Sequence, residues 1–95
     1  MVSVRVRAHG TLRNVMGKGC EEMIIPDGAN VKHVIEFLVE KYRNLEEILL
    51  DKITNNPLPN AIILLDGVEI GNLMSLGTPM KNGSTLTLLP VTHGG

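Results

Sequence analysis

Polar and apolar residues alternate at the start of the chain. Val2, Val4, Val6 and Ala8 are separated by Ser3, Arg5, Arg7 and His9. This period of two is typical of a strand with one buried face and predicts a first strand. A second strand is predicted from Cys20 to Ile25, before Pro26-Asp27-Gly28 turns the chain. The two strands are expected to form an antiparallel hairpin with a long connection that holds Leu12, Val15 and Met16.

After Asn30 the apolar residues recur at spacings of three and four, which predicts an amphipathic helix. Asn30 is a suitable N-cap because its side chain can accept a hydrogen bond from the first turn. The apolar positions are Val31, Val34, Ile35, Leu38, Val39, Tyr42 and Leu45. Glu46 to Ile53 is expected either to extend this helix beyond Asn44 or to form a short second helix. The segment from Thr54 to Asn60 then breaks helical order.

The second half of the chain contains a continuous apolar run, Ala61-Ile62-Ile63-Leu64-Leu65. A run of this length, partly β-branched, predicts a central strand buried on both faces. Asp66-Gly67 is a hairpin turn that leads into a short strand, Val68 to Ile70. Residues 71–83 are expected to be mostly connection.

The final strand follows Asn82-Gly83, with Leu86 and Leu88 facing inward between threonines. The order of elements predicts an α+β domain with one main helix packed across a mixed sheet. If the first and last strands lie side by side in parallel, both are central, and the C-terminal tail projects into water from an edge of the sheet.

Composition excludes several functional classes. Nine basic against ten acidic side chains give no positive excess for binding a phosphate backbone. With only Phe37 and Tyr42 as aromatic residues, a base-stacking platform is not expected. A single cysteine, Cys20, excludes an internal disulfide and suits a reducing compartment. With no charged leader and no long apolar segment, a soluble cytoplasmic protein without nucleic-acid or membrane partners is expected.

We find no phosphate-binding loop motif and no recognisable pair of nucleophile and base, so no catalytic residue is predicted. His9, His33 and His93 are too scattered for a recognisable zinc motif, although a fold could bring distant residues together. We therefore predict no metal site and no permanently bound cofactor. His33 is expected to face solvent on the helix. Cys20 is expected to be a small packing residue rather than a sulfur relay.

Two surfaces are candidates for contact with partners. Arg5, Arg7 and His9 are expected to form a basic stripe, which either meets an acidic partner or is simply solvated. An irregular stretch contains a second, apolar group, which forms either a partner-facing patch or a small satellite core. Its members are Leu73, Met74, Leu76 and Met80.

The chain ends in Gly94-Gly95. Glycine has no Cβ, so two terminal glycines can enter a narrow cleft and leave the carboxylate unshielded. With the order of elements, the Asp66-Gly67 hairpin and the Lys81-Asn82-Gly83 turn, this ending resembles the ubiquitin-like β-grasp sulfur carriers over essentially the whole chain. The resemblance implies a β-grasp domain over residues 1–92, with about four to five strands, and a flexible tail over residues 93–95.

The relatives that this resemblance points to are the molybdopterin synthase small subunit (MoaD), the thiamine sulfur carrier ThiS and the ubiquitin-related modifier of transfer-RNA thiolation. The ending from Thr92 to Gly95 is most similar to the last of these. The chain departs from the MoaD pattern at two places. Before the last strand the MoaD pattern has Gly-Asp, where this chain has Gly83-Ser84. At the end the MoaD pattern has one residue between Pro-Pro-Val and the diglycine. Here Thr92 and His93 follow Leu89-Pro90-Val91. These departures weaken an assignment to molybdopterin synthesis but not to the carrier class.

The resemblance also implies the chemistry. A ubiquitin-activating-type (MoeB/ThiF-like) enzyme would use ATP to adenylate the carboxylate of Gly95, and a sulfur donor would convert it to a thiocarboxylate. Gly94 and His93 would thread into that partner. The acceptor would be an enzyme such as the molybdopterin synthase large subunit or a tRNA thiolase. The chain would then be a carrier, or the small subunit of a molybdopterin synthase-type complex, and not an enzyme.

Two alternatives remain from the sequence. The chain could be a ubiquitin-like modifier that is conjugated through Gly95 to lysines of target proteins. It could also be a non-covalent β-grasp interaction module whose diglycine is incidental.

Overall fold

The computed structural model describes residues 1–91, and every structural statement below concerns this part of the chain. In chain order the elements are β1 (Val2–Ala8), α1 (Gly10–Met16), β2 (Cys20–Ile25), α2 (Val31–Lys41), α3 (Leu45–Leu49), β3 (Ala61–Leu65), β4 (Val68–Glu69) and β5 (Thr85–Pro90). Two short 3-10 turns, Ile70–Asn72 and Ser75–Gly77, lie between β4 and β5. The predicted tail, residues 93–95, lies outside the described residues.

The strands form one mixed sheet in the order β2-β1-β5-β3-β4. β1 pairs with β2 antiparallel and with β5 parallel, and β5 pairs with β3 antiparallel. The first and last strands are therefore neighbours in the interior of the sheet, as predicted. The Asp66-Gly67 hairpin between β3 and β4 is also confirmed, with Leu65 opposite Val68.

One face of the sheet is covered by helices, and the core lies between them. Val4, Val6 and Ala8 of β1 and Leu86 and Leu88 of β5 are buried. The buried face of α2 consists of Val31, Val34, Ile35 and Leu38. Because the other face of the sheet is open, the polar positions of β1 remain exposed. The predicted α+β architecture, with one main helix across a mixed sheet, is confirmed.

The prediction for β3 was right in its position and wrong in its burial. β3 is an interior strand, paired with β5 on one side and with the short edge strand β4 on the other. Its residues alternate between buried and accessible positions, however, and the Ile62 side chain is 44% exposed. Helices cover only one face, so an apolar run that looks doubly buried is in fact half accessible.

The connection between β1 and β2 contains a helix, α1, that was not predicted from the sequence. α1 begins at Gly10 and ends before Gly17, which adopts a left-handed conformation. The main helix α2 ends at Lys41, and Leu45, expected on its apolar face, instead begins the separate helix α3. The expectation of a short second helix in this region is confirmed, although α3 ends at Leu49.

Candidate functional site

The predicted site residues Gly95, Gly94 and His93 lie outside the described residues. The structure does describe the strand that leads to them. The amide of His9 donates to the carbonyl of Leu88 at 3.2 Å, and the amide of Val91 donates to the carbonyl of Asn60 at 3.0 Å. Val91 is therefore held to the loop before β3, and the base of the predicted tail is fixed to the body of the protein.

Gly10 packs directly against the end of β5. A Cβ atom at this position would lie 2.9 Å from Cγ of Pro90, closer than ordinary contacts allow. Gly10 also has a φ of +56°, a conformation that other residues rarely adopt. Both constraints call for glycine here. Because glycine has no Cβ atom, the start of α1 can pack closely against Pro90.

The open face of the sheet is apolar beside the end of β5. Ile62 lies opposite Leu89 in the pairing of β3 with β5. Both side chains are at least partly accessible, as is Leu64 two residues further along β3. We call Ile62, Leu64 and Leu89 the outer apolar patch. A contiguous accessible group of this kind is a candidate partner surface because its burial on binding is favourable.

Arg5 and Arg7 of the predicted basic stripe lie on the same open face, one strand over, whereas His9 follows β1 and is the N-cap residue of α1. Arg5 and Arg7 of β1 pair with Thr85 and Thr87 of β5, and both arginines are exposed. Arg5 contacts Glu22 at 3.1 Å, whereas Arg7 forms no ion pair with residues 1–91. The open face therefore carries positively charged groups on β1 and apolar groups on β3 and at the end of β5.

Cys20 is exposed and lies opposite Arg7 in the pairing of β1 with β2. The expectation that it packs as a small apolar residue was wrong, because the first position of β2 faces the open side of the sheet.

His33 is exposed on α2, as predicted, but it also caps this helix. The amide of His33 donates to Oδ1 of Asn30 at 3.0 Å, and Nδ1 of His33 accepts from the amide of Asn30 at 3.0 Å. Within residues 1–91, no three His, Cys, Asp or Glu side chains are arranged to hold a metal ion. No helix in the same range is long and apolar enough to cross a membrane.

The apolar group in the irregular stretch is divided between the two roles considered for it. Met80 is buried in the core, and Leu76 packs partly against it. Leu73 and Met74 are 44% and 69% exposed. Half of this group is therefore core, and the other half is accessible.

A buried carboxylate on β2 was not anticipated. Glu21 is only 3% exposed, and its carboxylate accepts hydrogen bonds from Nζ of Lys41 at 2.5 Å and from the hydroxyl of Tyr42. Nζ of Lys18 lies 3.0 Å from the same group. The sequence does contain a signal for it, since Glu21 shares the inward parity of Met23 and Ile25 along the strand.

The surroundings of Glu21 determine its charge. Burial alone would raise the pKa of Glu21, but the hydrogen bonds from Lys41, Tyr42 and Lys18 outweigh burial and lower the pKa to about 2. The same contact with Glu21 raises the pKa of Lys41. Glu21 is therefore ionised at neutral pH. It ties the β1–β2 hairpin to the end of α2, which is a structural role rather than a catalytic one.

A scan against protein-family models finds no match, and a search of curated proteins finds none either. The fold is nevertheless shared with solved structures. The small archaeal modifier protein 1 of Methanosarcina acetivorans is 26% identical, with a TM-score of 0.85 over 100% of this chain and 98% of that one. A putative molybdopterin converting factor subunit 1 of Pyrococcus furiosus is 21% identical, with a TM-score of 0.78 over 97% and 100%. Urm1 of Trypanosoma brucei is 16% identical, with a TM-score of 0.81 over 98% and 95%.

These structural neighbours are small modifier and carrier-type proteins rather than enzymes, in agreement with the prediction for this chain. The likeness extends over nearly the full length of each. It confirms the predicted resemblance: the chain has the ubiquitin-like β-grasp fold and is similar as a whole to the small sulfur carriers and protein modifiers.

Proposed function

We propose that this protein is a sulfur carrier whose Gly95 carboxylate is adenylated by a partner enzyme and converted to a thiocarboxylate. The observation that carries the proposal is the position of the diglycine. It follows the central strand β5, and Val91, the residue after this strand, donates a hydrogen bond from its amide to the carbonyl of Asn60 at 3.0 Å. A fixed body followed by four residues suits a group that must be presented to another protein's active site.

The chemistry requires an external catalyst. A carboxylate resists nucleophilic attack because it is negatively charged and its oxygen is a poor leaving group. Attack of the Gly95 carboxylate on the α-phosphate of ATP would release pyrophosphate and leave an acyl-adenylate. A persulfide sulfur would then displace AMP, and cleavage of its S–S bond by a thiol would leave the thiocarboxylate. The partner therefore uses ATP, and the carrier supplies the acyl group.

The tail limits how far the reacting carboxylate can be from the folded body. Four extended residues span at most about 14 Å. The adenylating enzyme must therefore bring its nucleotide within that distance of Val91, which requires contact with the nearby body of the carrier. The outer apolar patch of Ile62, Leu64 and Leu89 lies on the strands next to this exit point and is the docking surface that we propose.

The acceptor of the sulfur belongs to the same proposal. One structural neighbour is described as a putative molybdopterin converting factor subunit, and another as Urm1. Acceptors of either kind, a molybdopterin synthase large subunit or a tRNA thiolase, are compatible with a thiocarboxylate donor. The departures from the MoaD ending favour the second.

A second candidate function is protein modification. Two lines support it: a similar structure is described as a small archaeal modifier protein, and an activated Gly95 could react with a lysine amine as well as with sulfur. Incubation with the adenylating enzyme and a cell extract, followed by denaturing electrophoresis, distinguishes the two. Stable higher-mass conjugates that depend on Gly95 would favour modification.

The experiment that tests the carrier proposal is ATP–pyrophosphate exchange by a matching adenylating enzyme. We expect the intact chain to support exchange, Gly94→Ala to impair it because a methyl group obstructs the narrow passage, and deletion of Gly95 to abolish it. A full rate of exchange with the deletion variant would overturn the proposal. No exchange with the intact chain, by an enzyme shown to activate another carrier, would leave the non-covalent interaction module as the remaining candidate.

A further inference from the structure

The outer edge of β2 carries backbone groups that no strand within residues 1–91 pairs with. The amide of Ala8 donates to the carbonyl of Gly19 at 3.0 Å, which fixes the phase of the antiparallel ladder between β1 and β2. Because hydrogen-bonded and non-bonded pairs alternate, every second residue of β2 points its N–H and C=O away from β1. These residues are Cys20, Glu22 and Ile24.

A groove runs beside this edge, with α2 as its other wall. We call it the β2–α2 groove and define it by Glu22, Ile24, Phe37 and Glu40. Ile24 is 63% exposed and Phe37 is 43% exposed, although both are large apolar side chains. The cleft has a volume of about 510 Å³, enough for several side chains of an added segment. Strand addition requires exposed backbone groups and accessible side-chain pockets beside them, and this edge has both.

Charges in the groove indicate what kind of segment fits. Glu21 forms an ion pair with Lys41, and Glu22 forms an ion pair with Arg5 on the neighbouring strand β1. Glu40 also lines the groove, is exposed, and forms no ion pair with residues 1–91. The carboxylate that remains for a partner is therefore that of Glu40, and it favours a cation.

We propose that the β2–α2 groove binds an extended peptide segment of another protein, which adds a strand to β2 and carries apolar side chains with one lysine or arginine. Main-chain hydrogen bonds to Cys20, Glu22 and Ile24 would hold the segment. Its apolar side chains would cover Ile24 and Phe37, and its cation would meet Glu40. A second copy of this chain paired antiparallel and centred on Glu22 would place two carboxylates opposite each other, which is unfavourable.

The first test uses a defined probe. An acetylated and amidated heptapeptide, Thr-Val-Thr-Lys-Val-Ile-Thr, is titrated into the isotope-labelled full chain and followed by amide NMR. We expect shifts at Cys20, Glu22, Ile24 and Phe37, and slower hydrogen exchange at the three edge amides. The matched peptide with glutamate in place of lysine is expected to bind about fivefold more weakly. Equal binding of the two peptides, shifts elsewhere on the protein, or no binding would overturn the proposal.

Two variants sharpen the test. Glu40→Lys should reverse the preference, so that the glutamate peptide binds more tightly than the lysine peptide. Ile24→Pro removes an amide that faces the outer edge and not β1, so the sheet should persist while binding falls about fivefold or more. If Ile24→Pro does not fold, the charge reversal still decides the matter.

The groove is separate from the tail chemistry. Deletion of Gly95 should leave the affinity for the lysine peptide unchanged, so a failure here and a failure of the carrier proposal are distinguishable. Shifts in the same amides that depend on protein concentration without peptide would show self-association through β2 and would contradict a peptide partner.

Discussion

Glu21 shows how a single buried carboxylate can connect two elements. Removing a charge from water is costly, and the cost is offset here because three donors surround the carboxylate. Two of them, Lys18 and Lys41, have side chains that are 51% and 57% exposed, so solvent screens part of the attraction. The net effect is a cross-link between the β1–β2 hairpin and the end of α2.

Glu21→Gln should therefore lower the free energy of unfolding by about 1–2 kcal/mol, since it removes the charge and keeps the shape. Urea unfolding at neutral pH measures the change. Glu22→Gln is the matched control, because its ion pair with Arg5 is exposed and should contribute less than about 0.5 kcal/mol. Equal effects of the two substitutions would contradict the role assigned to Glu21.

The same residue predicts a pH dependence. The pKa of Glu21 is about 2 in the folded protein and about 4.3 in an unfolded chain. Because the folded value is the lower one, the stabilisation is complete above about pH 4.3 and is lost as the pH falls towards 2. The difference in unfolding free energy between the native chain and Glu21→Gln should shrink over that range. A difference that stays constant down to about pH 2.5 would contradict the pKa shift.

Gly10 is the residue that lets α1 approach the base of the tail. Gly10→Ala should destabilise the fold by about 2 kcal/mol or more, through its positive φ and its clash with Pro90. Gly17→Ala is the control, because Gly17 has a φ of +77° but nothing within 4 Å of an added Cβ. In a Pro90→Ala background the two substitutions should cost the same. A persistent difference there would mean that Pro90 is not the obstacle.

At the scale of elements, the period of the apolar residues predicted the main strands and the main helix, and the N-cap residue Asn30 predicted where α2 begins. β1, α2 and β5 were recognised because each presents one apolar face over at least six residues. α1 was missed because it is short, begins at a glycine with positive φ and has no side-chain cap. The burial of β3 was overestimated because sequence does not reveal which face of a sheet the helices leave open.

The N-cap of α2 can be tested by mutation. Asn30→Ala should lower stability by about 1 kcal/mol, because the side chain of Asn30 satisfies the amide of His33. Asn44 occupies the corresponding position before α3 without a side-chain cap bond, so Asn44→Ala should change stability far less. Thermal unfolding of both variants measures the contrast, and similar losses would argue against the capping box.

At the scale of the molecule, the fold type was predicted correctly from the sequence, whereas the tail over residues 93–95 stays a prediction. The outer apolar patch and the Glu21 cluster were not predicted. The outer apolar patch depends on the neighbouring positions of β3 and β5, and the Glu21 cluster depends on side chains 20 and 21 residues apart. Neither follows from local spacing. The diglycine, by contrast, is visible in the sequence and lies beyond the described residues.

The docking role of the outer apolar patch can be tested by placing a charged side chain in it. Ile62→Lys should reduce the efficiency of adenylation about tenfold, mainly through a higher KM, because it places a charge in the outer apolar patch. Ile53→Lys is the control, since Ile53 is 94% exposed and lies in the loop after α3, outside the patch. Equal kinetics for the two folded variants would place the docking surface elsewhere.

The central claim is that Gly95 carries sulfur, and intact-protein mass spectrometry tests it most directly. The chain is incubated with ATP, a matching adenylating enzyme and a sulfur donor, beside the variant that lacks Gly95. We predict a mass gain equal to the replacement of one oxygen by sulfur in the intact chain and none in the variant. No gain in the intact chain, with an enzyme shown to activate another carrier in the same mixture, would contradict the account.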